Sequence, residues 1–221
     1  MADPLPDDPT LDELRAALAP LLPRHAAFDG WRDAAVAAAA RERGIDPDIA
    51  RLAFPGGAAD MIDAWFDSID ARMAAALPAE TLAALPIRAR ITALVEARLD
   101  LLAHDREALR RALAVLAMPG HVRRAAALGW RAADAMWRAA GDTATDLNHY
   151  SKRMTLSAVY AATLLVFIDD ESAGQADSRA FLGRRIDGVM RFEKAKARLS
   201  GAGRDRLSLS RFIGRLRYPA V

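Results

Sequence analysis

The chain contains no cysteine, which excludes disulfide bonds and thiolate metal sites. Only 6% of its 221 residues are aromatic, and no apolar run approaches the roughly 20 residues that a membrane-spanning helix needs. Runs of alternating apolar and polar residues are also missing, so a β-rich fold is not expected. What remains is rich in alanine, leucine and arginine, with 52% apolar and 27% charged residues, which is typical of a globular helical protein.

Helix signals occur along most of the chain. Thr10 and Glu13 form a predicted capping box, and Pro20 and Pro23 are expected to close that first helix. Gly44 is expected to end a second helix, after which Asp46 and Pro47 open a third. The sequence predicts an all-α protein of nine or ten helices without internal repeats.

The helices fall into two groups. Short helices fill residues 10–77, and longer ones follow over residues 78–199. This order is the plan of TetR-type regulators, in which the third helix enters the DNA major groove. We therefore predict a disordered lead-in over 1–9, a helix-turn-helix-like subdomain over 10–77, a helical bundle over 78–199 and a C-terminal helix over 200–221.

The predicted recognition helix argues against DNA binding. Its sequence, "DPDIARLAF", carries Asp46 and Asp48 where a DNA reader needs basic or amide side chains, and Arg51 alone offsets them. We therefore interpret this segment as a helix-turn-helix that no longer reads a DNA sequence. A TetR-type regulator with an apolar ligand stays open as the alternative.

Catalytic signatures are absent from the sequence. The four histidines, His25, His104, His121 and His149, never stand three or four residues apart, so no helical pair could hold a metal ion. There is no phosphate loop, dinucleotide turn or nucleophile elbow. We expect no enzyme activity, no metal and no cofactor.

Methionine and aromatic residues recur on the apolar faces of the long helices. Such a pattern indicates either an ordinary core or an adaptable apolar pocket, because methionine fills irregular spaces. The predicted walls of a lipid pocket are Leu94, Leu102, Leu113, Leu116, Met118, Trp130, Met154, Tyr160, Leu164 and Met190.

One stretch, "GDTATDLNHYSKR" (141–153), is polar between two plain helices. The longer segment "MWRAAGDTATDLNHYSKRMTLSAVYAATLLVFIDD" (136–170) resembles the signature of the Coq-nine family of ubiquinone-biosynthesis proteins. "FDGW", "GIDPDIARLAFPGGAADMI", "LAMPGHV" and "FLGRRIDGVM" are also similar to bacterial members, so the resemblance covers most of the chain.

The resemblance implies a TetR-like fold without demonstrated DNA readout and an apolar cavity for isoprenoid lipid or phospholipid. It further implies a non-catalytic protein that presents quinone intermediates to the di-iron demethoxyubiquinone hydroxylase; a homodimer stays open. The implied docking patch corresponds here to Met136, Trp137, Asp142, Asp146, Asn148, His149, Tyr150 and Arg153.

Two features of this patch qualify the expectation. His149 stands where other members often carry tryptophan, which leaves Tyr150 as the main aromatic anchor. The aspartates have a second interpretation, since Asp142 or Thr143 could cap a helix and Asp146 could stabilise its dipole. Capping does not account for Asn148, His149 and Tyr150.

The C-terminal end is basic. From Arg179 onward twelve basic residues oppose three acidic ones, a net +9, so the preceding residues carry −7. Apolar residues recur there at helical spacing, and arginines flank them, which predicts an amphipathic helix at an anionic membrane surface. Packing of this helix onto the bundle is the alternative. The residues of this predicted helix that would meet the membrane are Leu209, Arg211, Phe212, Ile213, Arg215, Leu216 and Arg217.

Without the leader of eukaryotic family members, the chain is expected in the bacterial cytoplasm, peripheral on the inner membrane.

Overall fold

The computed structural model describes residues 5, 6, 8–143 and 147–202, with backbone alone for Leu147 and for 193–202. Within that part no strand occurs, so the all-α prediction is confirmed. The described residues contain eleven α-helices instead of the nine or ten predicted. These are α1 (Leu11–Leu18), α2 (Leu22–Asp29), α3 (Asp33–Glu42), α4 (Pro47–Leu52), α5 (Ala58–Ala76), α6 (Ala79–Ala83), α7 (Ile87–Leu102), α8 (Arg106–Leu116), α9 (Val122–Ala139), α10 (Leu147–Phe167) and α11 (Ala176–Ala202).

The difference in number comes from α2 and α6, which the sequence analysis missed. Pro23 was expected to end the first helix, but it lies in the first turn of α2. Proline is tolerated there because the first backbone N–H groups of a helix have no partner within the helix. Pro78 likewise stands immediately before α6. A proline between two apolar segments can therefore start a helix as well as stop one.

The predicted helix caps are confirmed. The backbone N–H of Thr10 donates to Glu13 Oε2 at 2.8 Å, and the N–H of Glu13 donates back to Thr10 Oγ1 at 3.3 Å. After α3, Gly44 adopts a φ of 69°, a conformation that glycine reaches without steric cost. Asp46 then caps α4 by accepting the N–H of Asp48 at 2.7 Å.

A tryptophan pair forms the centre of the N-terminal core. Trp31 and Trp65 have ring centroids 5.2 Å apart, and Phe66 packs edge-on against Trp65 at 5.3 Å. The indole N–H of Trp31 donates to the Ala108 carbonyl of α8 at 3.0 Å. Because Trp65 lies on α5, this cluster ties α5 and α8 to the segment that leads into α3.

Helix α5 packs against helices before and after it, including α1, α2, α7, α8 and α9. Accordingly, residues Met1–Leu182 form one compact unit, and a second unit begins at Gly183, within α11. The proposed division between 10–77 and 78–199 stays a prediction about organisation within these units. The predicted membrane-binding residues from Leu209 to Arg217 lie outside the described residues, as does Asp146.

No helix in the described ranges combines the length and the apolar character needed to cross a bilayer.

Asp170 organises the connection between α10 and α11. Its carboxylate accepts the backbone N–H and the hydroxyl of both Ser172 and Ser178, at 2.5 to 2.9 Å. Burial alone would raise the pKa of Asp170, but these hydrogen bonds outweigh it and hold that pKa well below its usual range. The connection therefore depends on an ionised carboxylate.

Replacing this carboxylate tests that dependence. Asp170→Asn should lower the free energy of unfolding by about 1–3 kcal/mol at neutral pH, because an amide cannot accept all four hydrogen bonds. Since the folded pKa lies below the unfolded one, the contribution is complete above the unfolded pKa and is lost as pH falls toward the folded value. In urea unfolding, the gap between wild type and variant should shrink below about pH 4. The exposed neighbour Asp169→Asn serves as control, and a gap independent of pH would contradict the assignment.

Candidate functional site

The polar stretch that stands out in the sequence forms the corner between α9 and α10. Helix α9 ends in a Schellman turn, in which the N–H of Gly141 donates to the Arg138 carbonyl at 2.9 Å. The N–H of Asp142 donates to the Trp137 carbonyl at 3.0 Å. Gly141 has a φ of 85°, the left-handed conformation that this turn requires. From α7, Arg90 donates to the Ala140 carbonyl at 2.9 Å and so fixes the helix end further.

Arg153 of α10 crosses to this turn and is 2% exposed. Its Nε donates to Asp134 Oδ1 of α9 at 2.6 Å, and one terminal nitrogen donates to Asp142 Oδ2 at 3.1 Å. The same nitrogen donates to the His149 carbonyl at 3.1 Å. A buried cation is stable only when it is paired and hydrogen-bonded, and here two carboxylates and a carbonyl fulfil that condition. We call these three residues, Arg153, Asp134 and Asp142, the corner latch.

Lys152 joins the corner from the neighbouring position on α10. Its Nζ donates to Asp142 Oδ1 at 2.7 Å and lies 5.2 Å from the centre of the Trp137 ring. The Trp137 indole N–H in turn donates to the Lys152 carbonyl at 3.1 Å. Trp137 is therefore held by a hydrogen bond and a cation–π contact, so its orientation is fixed.

An aromatic cluster lies beside the corner latch. The His149 and Tyr150 rings meet edge-on with centroids 5.2 Å apart, and Trp130 of α9 lies 6.0 Å from Tyr150 and 6.3 Å from His149. Tyr150 is 58% exposed although two rings pack against it. Exposed aromatic side chains on a rigid support are typical of protein interfaces.

The exposed apolar surface continues along α10. Tyr150, Met154 and Leu165 are all more than half exposed, and at about 100° per residue they lie on one face of the helix. Ala158 and Ala161 are exposed on the same face. An exposed apolar stripe of this kind is a candidate surface for contact with another molecule.

Most of the predicted docking residues meet at this corner, but two of them are buried. Asn148 and Tyr150 are exposed, and Trp137, Asp142 and His149 are half-buried. Met136 is fully buried and Arg153 nearly so, since Arg153 reaches from α10 to Asp134 of α9. These two cannot touch a partner directly; Met136 packs below the surface, and Arg153 holds the corner.

The predicted lipid-pocket walls divide in a similar way. Leu94, Leu102, Leu116, Tyr160 and Leu164 are buried, and Leu113 and Trp130 are half-buried. Met118 and Met154 are 52% and 64% exposed, so they do not face an interior. Met154 instead belongs to the exposed stripe beside Tyr150. Met190 lies in the second unit, which begins at Gly183.

Sequence reasoning missed three residues that shape the site: Asp134, Lys152 and Arg90. A signal existed for Asp134, the single acidic residue of α9 among several arginines. An isolated carboxylate on a basic helix needs cationic partners, and here they are Arg138 of the same helix and Arg153 of α10. Nothing in the sequence indicated that Arg90 reaches the end of α9.

The helix in the recognition position of a helix-turn-helix is α4. The Asp48 side chain is 85% exposed there and forms an ion pair with Arg51. The one basic residue of the helix is thus already engaged by a carboxylate. This arrangement agrees with the interpretation that DNA readout has been lost.

The fold and its helix order define a TetR-like all-helical protein. The chain is similar to a crystal structure of a TetR transcriptional regulator from Nitrosomonas europaea, with a TM-score of 0.62 and 26% identity. The similarity covers 79% of this chain and 96% of that one. The predicted fold class is therefore confirmed.

The sequence matches point to one family within this broad fold class. Residues 122–193, from α9 into α11, match the model of the COQ9 family. It is 34% identical over 109 residues to the human protein named "Ubiquinone biosynthesis protein COQ9, mitochondrial". A Drosophila melanogaster protein of the same name is 25% identical over 195 residues, which cover 86% of this chain. The resemblance to the Coq-nine family is thereby confirmed.

The matched regions span 34% of the human relative and 60% of the Drosophila one. The corner latch, the aromatic cluster and the exposed stripe all lie inside the matched segment.

Gly141 offers a direct test of the corner. Gly141→Ala should destabilise the protein by about 1 kcal/mol, because alanine is strained at positive φ even though its Cβ would have room. Gly120→Ala is the matched control, since Gly120 is exposed, without positive φ and without a close neighbour. Thermal unfolding of both variants measures the difference. Equal melting temperatures would contradict the role assigned to the Schellman turn.

Proposed function

We propose that the protein is a non-catalytic accessory protein of ubiquinone biosynthesis. It binds isoprenoid quinone intermediates and presents them to a di-iron demethoxyubiquinone hydroxylase. The match of residues 122–193 to the COQ9 family model, together with the ubiquinone-biosynthesis names of similar proteins, supports the pathway. The observation that carries the docking step is the exposed aromatic cluster on the α9–α10 corner, within that segment.

The corner has the properties of a partner-facing hot spot. Tyr150 and Met154 offer apolar area, and Asn148 adds an exposed polar group next to them. The corner latch and the Schellman turn hold the supporting backbone in place. Preorganisation of this kind lowers the entropy that binding would otherwise cost, so a small patch can contribute much of the affinity.

The interior supplies the apolar part of a lipid site. Leu94 and Leu102 on α7 and Leu164 on α10 are buried and carry no polar atoms on their side chains. Burial is worth about 0.8 kcal/mol for each CH₂ group, so an isoprenoid chain gains affinity without specific contacts. The polar head of such a lipid needs separate partners.

Membrane delivery is assigned to the basic segment 207–221. Each Lys or Arg near an anionic leaflet contributes about 1 kcal/mol, so several arginines in this segment together would hold the protein at such a surface. We propose a peripheral location on the inner face of a bacterial membrane, where quinone substrates are dissolved.

A TetR-type regulator with an apolar ligand is the second candidate, because the similar crystal structure carries that name. The charge of α4 opposes it. Asp46 and Asp48 would face phosphate groups, and Arg51 is engaged by Asp48. In a gel-shift assay with its own upstream DNA, we expect no salt-sensitive, sequence-specific binding. Nanomolar specific binding would favour the regulator and contradict the accessory function.

The docking surface is tested by removing its most exposed ring. Tyr150→Ala, alone or with Asn148→Ala, should weaken binding to the hydroxylase by about 2 kcal/mol, roughly thirtyfold, because a hot-spot aromatic is lost. The fold should stay intact, since Tyr150 is more than half exposed. Pull-down titration with the purified hydroxylase measures the change.

Phe28→Ala is the matched control for this experiment. Phe28 is an aromatic residue that is 85% exposed on α2, and its truncation should leave hydroxylase binding unchanged. Undiminished capture of the hydroxylase by the Tyr150/Asn148 double variant would remove the patch from consideration.

A further inference from the structure

Two polar side chains with unused hydrogen-bonding atoms lie inside the helical bundle. Arg98 of α7 is fully buried, and Tyr160 of α10 is 2% exposed. Arg98 forms an ion pair with Asp70 of α5 through one terminal nitrogen, but its Nε and its other terminal nitrogen have no partner among the described residues. The Tyr160 hydroxyl also lacks a partner there.

The two side chains face each other. The Arg98 guanidinium carbon lies 4.9 Å from the centre of the Tyr160 ring, a cation–π arrangement. The guanidinium stands over the ring face, and the hydroxyl at the ring edge is left without a hydrogen bond of good geometry. The Tyr160 oxygen can accept from Arg98, but the N–H groups of Nε and of the second terminal nitrogen outnumber its lone pairs, and its own O–H is a further donor.

Leaving buried donors unpaired costs about 1–3 kcal/mol for each group. Ordinary packing could avoid this cost with a phenylalanine at 160 and an apolar residue at 98. Burial raises the pKa of Tyr160, against the opposing effect of the neighbouring Arg98 charge, so the hydroxyl stays protonated and can donate. Even with the Tyr160 oxygen accepting from Arg98, the donors on these two buried side chains outnumber the acceptors, which indicates a missing acceptor.

The charge of the surroundings limits what this acceptor can be. Arg98 is already paired with Asp70, so the pair carries no net charge. A second anion would leave a net negative charge in a buried place, which is costly. A neutral oxygen, such as a carbonyl or an ether, accepts from the free donors without adding charge.

The position of the pair fits an amphiphilic ligand. Arg98 lies four residues after Leu94 and four before Leu102, and Tyr160 lies four residues before Leu164, so polar and apolar groups share one face of each helix. These leucines are buried. An apolar ligand against them would place an oxygen-bearing head near the donors.

The geometry points to Arg98 and Tyr160 as the polar anchor of an internal ligand site, where they donate hydrogen bonds to a neutral oxygen acceptor on an apolar molecule, such as a ring carbonyl. This anchor rests on the lipid-binding function proposed above and adds to it the residues that select the head group. The hydrocarbon part of the ligand is held by burial alone.

The test compares two probes that differ in their oxygens. Decylbenzoquinone carries carbonyl acceptors, and decylbenzene has a similar ring and tail without them. Titration calorimetry of the full chain should give tighter binding of the quinone. Tyr160→Phe should weaken quinone binding about three- to tenfold, the value of one hydrogen bond, and leave decylbenzene binding unchanged.

Two further variants complete the design. Arg98→Lys keeps a cation for Asp70 but removes the planar fork of donors, so the preference for the quinone should also fall. Tyr150→Phe is the control, because it removes a hydroxyl from an exposed tyrosine and should change neither affinity. Ligand-free Tyr160→Phe should melt at the wild-type temperature or above, since an unpaired buried hydroxyl is removed.

The outcomes separate this inference from the function on which it rests. Equal binding of both probes, unaffected by Tyr160→Phe, would contradict the polar anchor and leave lipid binding standing. Binding of neither probe would contradict both. A lower melting temperature of ligand-free Tyr160→Phe would show that Arg98 or a buried water already satisfies the hydroxyl, which also overturns the anchor.

Discussion

The corner between α9 and α10 depends on one buried cation. Arg153 is almost fully buried between Asp134 and Asp142, and it also donates to the carbonyl of His149. Removing the guanidinium would leave Asp134 paired with Arg138 and Asp142 paired with Lys152, and the link between the two carboxylates would be lost. The latch thus fixes both the end of α9 and the first turns of α10. Asn148 and Tyr150, which are proposed for docking, belong to the second of these segments.

Helix α10 carries residues of both sites proposed above, the docking surface and the polar anchor. Tyr150 lies near its start, in the aromatic cluster, and Tyr160 lies ten residues later in the interior. At 1.5 Å per residue, roughly 15 Å along the helix separates the docking surface from the polar anchor. A ligand held at Tyr160 would therefore lie within a few turns of a hydroxylase bound at Tyr150. A single rigid element could carry both groups at a constant separation.

Local signals in the sequence were sufficient for the helical class and for its caps. The Thr10–Glu13 box, Gly44 and Asp46 act through neighbours within five residues, so their roles could be predicted. The start of α2 could not, because Pro23 is compatible with both the end and the beginning of a helix. The burial of Arg153 depends on how α9 and α10 meet, which no periodicity within one helix specifies.

The position of Arg98 could be predicted from the sequence, but its partners could not. Leu94, Arg98 and Leu102 recur every four residues, so the spacing alone places Arg98 on the buried face of α7. From the sequence one would expect the side chain of such an arginine to extend toward solvent. The structure instead buries it against Tyr160 and Asp70, with N–H groups that have no partner among the described residues. The docking residues, in contrast, lie in a stretch that is conspicuously polar in the sequence, and the resemblance of 136–170 to a family supplied their expected role.

The central claim is that this fold holds a lipid for another protein to use. Mass spectrometry of organic extracts from the purified protein tests it most directly, with an unrelated helical protein purified from the same cells as control. The account predicts isoprenoid quinone intermediates or phospholipid in near-stoichiometric amounts, absent from the control. An extract indistinguishable from that of the control protein would contradict it.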